Sequence, residues 1–489
     1  MSWISAFDIG TTSVKGILIS KDGSIKGEKT YPLQTYYGVN GEIEQSPEEW
    51  WDRIIEICRY WLQNVKVEPE EIKAITFSGQ MQDLIFASRP RVPRAILYSD
   101  TRAKSEAERI NLEIHQLTEI ANNPIDASSP FAKCLWMQSH QQEIYESCEA
   151  FLFSSKDYCI YELTNQLVTD PVTAATTGMM NLRKKEWQKE WLDKFEIPIA
   201  KMPDIHYPNQ LAGHVTKRAA ELTGFMEGTP VLSGSGDAGA TTIGAGAVRE
   251  NDSYLYLGTT GWAATVRKEI GESGDFMFTL SHVLPDCYIS IAPLLNVGNV
   301  YLWAGKTFAN GMDELEQLIA ESPPGANGLF FLPYLNGERC PVNDPDAKGI
   351  FYGMTIHTKR ADFARAIVEG LCYSYRQIMN LVMNDRRPAS ITVIGGGARS
   401  RVWCQIAADV LGTEVHVPEN SEYLPAVGAA SNGFCYLGWV RNYEEFADRF
   451  IKADRTNVYS PLNQQIYHKG FETYEKLYPA FCLTHHPIS

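Results

Sequence analysis

Between Pro230 and Val248 the chain reads PVLSGSGDAGATTIGAGAV, and Gly234, Gly236 and Gly239 take the G-x-G-x-x-G spacing of a dinucleotide-binding turn. An acid, Asp237, sits inside that run. A carboxylate beside a bound pyrophosphate is a like-charge clash. The stretch that follows, rich in Gly, Ala and Thr, has weak helical periodicity and argues further against a nicotinamide site. Ala240 stands where a P-loop needs its lysine, which removes that reading. What an aspartate among glycines can do is accept a proton from a hydroxyl held against it, with the glycines leaving backbone room around it.

Two other turns could complement such a base. Phe7–Val14 reads FDIGTTSV and Leu255–Trp262 reads LYLGTTGW, each a strand pattern running into Gly-Thr-Thr. Tight turns whose N–H and hydroxyl groups point inward bind phosphate oxygens. Two of them facing each other across a cleft would grip one polyphosphate. The copies differ at one point of chemistry, Asp8 in the first and Tyr256 in the second. They raise internal duplication without deciding it. Further on, Gly395-Gly396-Gly397-Ala398 would let backbone approach a flat base or its ribose.

The elements that must carry these turns read as alternating strands and helices. Val14 to Ile19 and a strand from Ile25 flank the hairpin signal Asp22-Gly23. A helix near Trp50 to Trp61 precedes the strand Ala74-Ile75-Thr76-Phe77. In the second half a helix with Asp362 in its opening turn carries Phe363, Ile367, Leu371, Ile378 and Val382 on one face. The strand Ile391–Ile394 leads into the glycines, and a helix stopped by Gly412 follows. The pattern predicts an α/β fold.

At 489 residues the chain is too long for one ordinary core, and two large domains are expected. Its 44% hydrophobic and 21% charged residues fit a folded soluble protein. A formal charge of −15 excludes a broad surface for nucleic acid or anionic membrane. Ten cysteines without a C-x-x-C pair fit buried thiols of a reducing compartment. With no signal segment and no spanning apolar run, the cytoplasm is the expected location.

Ordered markers then carry a resemblance. Asp8-Ile-Gly-Thr-Thr, Ser78-Gly-Gln80-Met81, Tyr98-Ser-Asp100-Thr-Arg102 and Pro130-Phe-Ala-Lys133-Cys-Leu-Trp136 stand in the first half, with Lys156-Asp157-Tyr158. Leu332-Pro-Tyr-Leu-Asn-Gly-Glu338-Arg339, Gly349-Ile-Phe-Tyr-Gly353-Met354 and Asp362–Glu369 stand in the second. From Asp8 to about Trp439 the chain resembles carbohydrate kinases of the FGGY family, xylulose kinases most of all. The resemblance implies two ribonuclease-H-like domains of the actin and sugar-kinase type with an ATP cleft between them. They would span residues 1–245, binding sugar, phosphate and metal, and residues 246–489, binding ATP.

Carried over motif by motif, Asp237 would be the base and Asp8 the Mg²⁺-side carboxylate. Thr11, Thr12, Ser13 and Lys15 would meet phosphate from one side, and Gly258, Thr259 and Thr260 from the other. Gly396, Gly397 and Ala398 would line the adenosine. Gln80, Met81, Gln82, Asp83, Asp100, Arg102 and Ala238 are the substrate-side candidates. Three of these depart from the xylulose kinase pattern: Gln82-Asp83 replace the usual His-Gly, and Ala238 replaces an asparagine. Met81 as core, Asp100 with Arg102 as a structural ion pair, and Lys15 as a solvated strand residue are the plainer alternatives. The expected partners are a small-molecule sugar and ATP, not nucleic acid or membrane; a homodimer is left open. Another ketose, a polyol or a sugar acid stays open as substrate. A nicotinamide dehydrogenase and an actin-like ATPase are the rival classes.

Overall fold

Trp3–Ile9 is a strand buried along its whole length because both of its faces are covered. Trp3, Phe7 and Ile9 pack on the helix Pro47–Tyr60, while Ile4 and Ala6 face the helix Leu424–Tyr436. The computed structural model describes residues 2–88, 92–271, 277–384, 386–419, 421–451 and 457–482.

Two sheets repeat one plan. In the first, Trp3–Ile9 pairs antiparallel with Ser13–Ser20, which pairs antiparallel with Ile25–Pro32. On its other side Trp3–Ile9 runs parallel to Ile72–Gly79, which in turn runs parallel to Pro230–Leu232. In the second, Ser253–Leu257 pairs antiparallel with Gly261–Arg267, and that strand with Tyr288–Leu294. Ser253–Leu257 also runs parallel to Ser390–Ile394, which runs parallel to Glu414–Val417. One helix precedes the first parallel partner in each half, Pro47–Tyr60 and Arg360–Met383. The two Gly-Thr-Thr turns are thus equivalent hairpins of a duplicated α/β unit, and the question their likeness raised is answered by topology.

One expectation is corrected. The weak periodicity after Asp237 suggested little helix, yet Asp237–Gly244 is an α-helix with its residues from Gly239 to Gly244 buried. It lies against Leu424–Tyr436, with Gly244 and Gly428 at their contact, and neither helix has a solvent face to alternate with. Small residues there permit close approach, and a helix covered all round has no amphipathic stripe.

Candidate active site

Three parallel strand ends meet where the first sheet faces the second half. Register sets Ser78 beside Asp8 on one flank and Lys15 on the other. It also sets Ser235–Gly236 against Ser78–Gly79, so the next residues along, Gln80 and Asp237, emerge at the same edge. Ligands bind at the carboxyl ends of parallel strands because side chains and amides leave the sheet there together. Gly236 has no room for a side chain, since a Cβ would lie 2.0 Å from the Met81 sulfur.

Asp237 opens its helix and faces the cleft. Burial pushes its carboxyl up to about 7, and the Asp8 charge adds to the rise. Asp8 is raised from the ordinary carboxylate range by burial, a rise reduced by the Lys15 charge and the Ser78 hydroxyl bond. Its Oδ1 accepts from Ser78 Oγ at 2.8 Å, and its Oδ2 has Lys15 Nζ at 3.9 Å. Lys15 Nζ donates to the Glu422 carbonyl at 2.8 Å, which ties the strand to the second half. Two buried carboxylates, one of which feels the other's charge, favour either a protonated form or a bound cation.

A cavity of about 330 Å³ opens in front of Asp237. From the first half come Thr11, Gln80, Met81, Gln82 and Ala238; from the second come Thr260, Trp262 and Arg339. Gln80 is buried, its amide donating to Gln45 Oε1 at 3.1 Å while its own Oε1 has no protein partner among the described residues. A buried acceptor left unpaired on a residue that lines the cavity is open to a ligand hydroxyl. Gln45 also donates to the Thr11 carbonyl at 2.6 Å, so one buried amide fixes both the turn and Gln80. Gln82 sits at φ 65°, in the left-handed region. Its carbonyl accepts from buried Lys133 Nζ at 2.9 Å, and its amide donates to Ser128 Oγ at 3.1 Å. Burial brings Lys133 down to about 8.

The strand register slips between Met81 and Ile85. This bulge lets the adjacent Met81 and Gln82 both face the cavity and turns Asp83 to the back. Asp83, expected on the substrate side, is instead buried behind the wall, where its Oδ1 accepts from the Tyr98 amide at 3.1 Å. Burial pushes its carboxyl well above the usual range. Asp100 and Arg102 are likewise outside the cavity lining. Arg102 Nη2 lies 2.7 Å from Asp100 Oδ2 and 2.8 Å from Glu44 Oε1, the structural ion pair that was the plainer alternative.

A second cavity, about 920 Å³, lies in the C-terminal half. Gly258, Thr259, Gly396 and Gly397 line it, with Tyr301 and Trp403. Ala398 is buried beneath the glycine turn rather than in the lining. Tyr256 faces this cavity and Trp262 the smaller one; their rings stack at 3.9 Å as a common wall. Thr12 and Ser13 stand on the hairpin turn closed by the Gly10 amide on the Ser13 carbonyl at 3.1 Å.

The family model for the N-terminal domain of FGGY carbohydrate kinases matches residues 3–244, and that for the C-terminal domain matches residues 258–435. The chain belongs to the FGGY family of carbohydrate kinases. It is 32% identical to a xylulose kinase of Staphylococcus epidermidis, over 97% of this chain and 96% of that one. A gluconokinase of Bacillus subtilis is 28% identical over 91% and 90%. The ligand-bound xylulose kinase of Lactobacillus acidophilus superposes with a TM-score of 0.90 at 26% identity, covering 100% of both chains.

The kinase also places residues in the site that sequence reading missed. Asn123, Asp126, Ser129, Phe278 and Arg339 line the smaller cavity, in front of Asp237. Asn123 fastens the halves together: its Oδ1 accepts from the Thr279 amide at 2.8 Å and its Nδ2 donates to the Thr279 carbonyl at 2.7 Å. Arg339 and Lys133 lay within motifs that carried the family resemblance, but nothing in sequence shows which way such a side chain points. Asp126 and Asn123 lay in no motif at all.

Proposed function

We propose that this kinase transfers the γ-phosphoryl group of ATP to a hydroxyl of a ketopentose, D-xylulose first among the candidates. The observation that carries the reading is the pairing of Asp237 with the unpartnered Gln80 Oε1 on one cavity whose wall is shared with the larger one. The xylulose kinases among its relatives support the choice of sugar. Residues 1–245 would hold sugar and metal, and residues 246–489 would hold the nucleotide.

Asp237 accepts the proton as the sugar hydroxyl attacks the γ-phosphorus, and Gln80 and Gln82 hold neighbouring hydroxyls so that the attack is aimed. In a loose phosphoryl-transfer transition state such aiming matters as much as basicity. The hydroxyls of Thr11, Thr259 and Thr260 on the cavity walls, with Thr12 and Ser13 on the same turn as Thr11, would meet phosphate oxygens, and the Gly396-Gly397 turn would meet adenosine. Asp8 fits a Mg²⁺ ion, because among the described residues its Oδ2 accepts no hydrogen bond and has Lys15 Nζ 3.9 Å away. Among the described residues no group of three or more ligating side chains is assembled, as suits a cation that takes one or two carboxylates with nucleotide phosphates. When bound, the ion neutralises phosphate charge that Asp8 and Asp237 would otherwise repel.

ADP release measured over ketoses, polyols and sugar acids tests the reading. The expected result is the highest kcat/KM with D-xylulose. Sugar-independent hydrolysis would overturn it. A second reading, a sugar acid, is favoured by Arg339 on the cavity wall together with the withdrawal of Asp83 from it.

A further inference from the structure

Ser155, Lys156 and Asp157 begin the helix Ser155–Thr164, and all three are fully buried. Their polar atoms reach each strand end of the active site. Ser155 Oγ donates to the Ile9 carbonyl at 2.9 Å, one residue beyond Asp8. The Ser155 amide donates to the Gln80 carbonyl at 3.3 Å. Lys156 Nζ lies 2.6 Å from Asp157 Oδ1 and 3.0 Å from Asp170 Oδ2, with none of the three side chains exposed. Asp170 Oδ2 in turn accepts from the Gly236 amide at 3.2 Å, immediately before Asp237.

The other carboxylate oxygens of this chain of contacts also have partners. Asp170 Oδ1 accepts from the Val172 amide at 2.9 Å, and its Oδ2 accepts from Thr173 Oγ1 at 2.6 Å. Asp157 Oδ2 accepts from Thr169 Oγ1 at 2.9 Å. Gly79 is required by the same contact, since a Cβ there would lie 2.7 Å from the Lys156 amide nitrogen. A buried ion pair contributes little net stability over an apolar replacement, but it defines geometry sharply when all its partners are present.

We infer that Ser155, Lys156, Asp157 and Asp170 form a positioning unit that holds Asp237 in register with Gln80 and with the strand end bearing Asp8. The unit touches no substrate; it acts through the backbone of Gly236, Gln80 and Ile9. This rests on Asp237 being the base. Displacement of a reacting group by about 1 Å costs on the order of 100-fold in rate.

The test is kinetic. Asp170→Asn and Ser155→Ala are made alone and in an Asp237→Asn background, with KM for ATP and the ratio of ADP released to sugar phosphate formed as further readouts. Asp170→Asn should lower kcat about 30- to 100-fold, and Ser155→Ala about 10-fold. KM for ATP should stay within about twofold, and ADP should exceed sugar phosphate, because water can use a γ-phosphate that a misaimed hydroxyl cannot. In the Asp237→Asn background each loss should be clearly smaller than in the parent, only the share that runs through Gln80 and Ile9 remaining. Equal losses in both backgrounds, or a ratio fixed at one, overturn the inference. If Asp170→Asn fails to fold, Ser155→Ala, which removes one hydroxyl, decides alone. Near-normal turnover by Asp237→Asn by itself would instead remove the base assignment, so the two failures are told apart.

Discussion

Gly428 crosses Ala240 so closely that a Cβ on it would lie 1.9 Å from the Ala240 carbonyl oxygen. The helix that starts at the base and the helix Leu424–Tyr436 from the other half therefore meet backbone to backbone. Neither partner can give way by a rotamer change, since the obstructing atom is main chain.

Gly428→Ala should accordingly destabilise the folded chain by about 1–3 kcal/mol, the usual range for overpacking. Urea denaturation would read it as a lower midpoint, with Gly271→Ala, which meets nothing within 4 Å, as the control. An unchanged midpoint for Gly428→Ala would show that the crossing is looser than its geometry.

The pH dependence follows from Asp237, whose carboxyl is raised from 3.8 to about 7, first by burial and then by Asp8. A base must be ionised, so kcat/KM for the sugar should fall as pH drops below about 7. Stability runs the other way. The native state holds an extra proton between 3.8 and about 7, so this group's contribution becomes less favourable as pH rises through that window and is fully unfavourable above it. Asp237→Asn should thus gain thermal stability over the parent at pH 8, by a few kcal/mol at most, with the gain vanishing towards pH 4. Thermal melts of the free protein at the two pH values check the sign.

Asp8→Asn should raise the Mg²⁺ concentration needed for half-maximal phosphoryl transfer, and lower the rate at saturating ion. The Ser78 bond to Oδ1 can survive, so folding should be kept. An identical Mg²⁺ titration in parent and variant would remove Asp8 from the metal side.

Gln82→Ala should raise KM for the sugar about 10- to 100-fold while KM for ATP stays put, because Gln82 lines only the smaller cavity, the one proposed for the sugar. Kinetics with each substrate varied in turn separate the two constants. A change confined to ATP would place Gln82 outside sugar recognition.

The strands Trp3–Ile9, Ser13–Ser20, Ile25–Pro32, Ile72–Gly79, Ser253–Leu257 and Ser390–Ile394 and the helices Pro47–Tyr60, Arg360–Met383 and Arg401–Leu411 were legible because each shows an apolar run, one apolar face or a capping residue. The helix Asp237–Gly244 was not, since periodicity reports a solvent boundary that a fully covered helix lacks. At the site, Asp8, Gln80 and Asp237 stand at strand ends, where sequence position and spatial position coincide. Asp83 was misjudged for a local reason: alternation along a strand fails at a bulge, and the bulge here is fixed by Lys133, fifty-one residues away. Asp100 and Arg102 show the same limit, because a motif tells that residues occur together and not which cavity they face.

Asn123 fastens the two halves by reading the main chain of Thr279, accepting from its amide and donating to its carbonyl. Such a fastening is blind to the identity of the residue it grips. This joint makes no demand on the side chain of residue 279 beyond its fit in the buried strand, whereas a replacement of Asn123 that lacks the amide undoes it. At this contact mutational tolerance is therefore one-sided: Asn123 supplies the side chain, and Thr279 only its main chain.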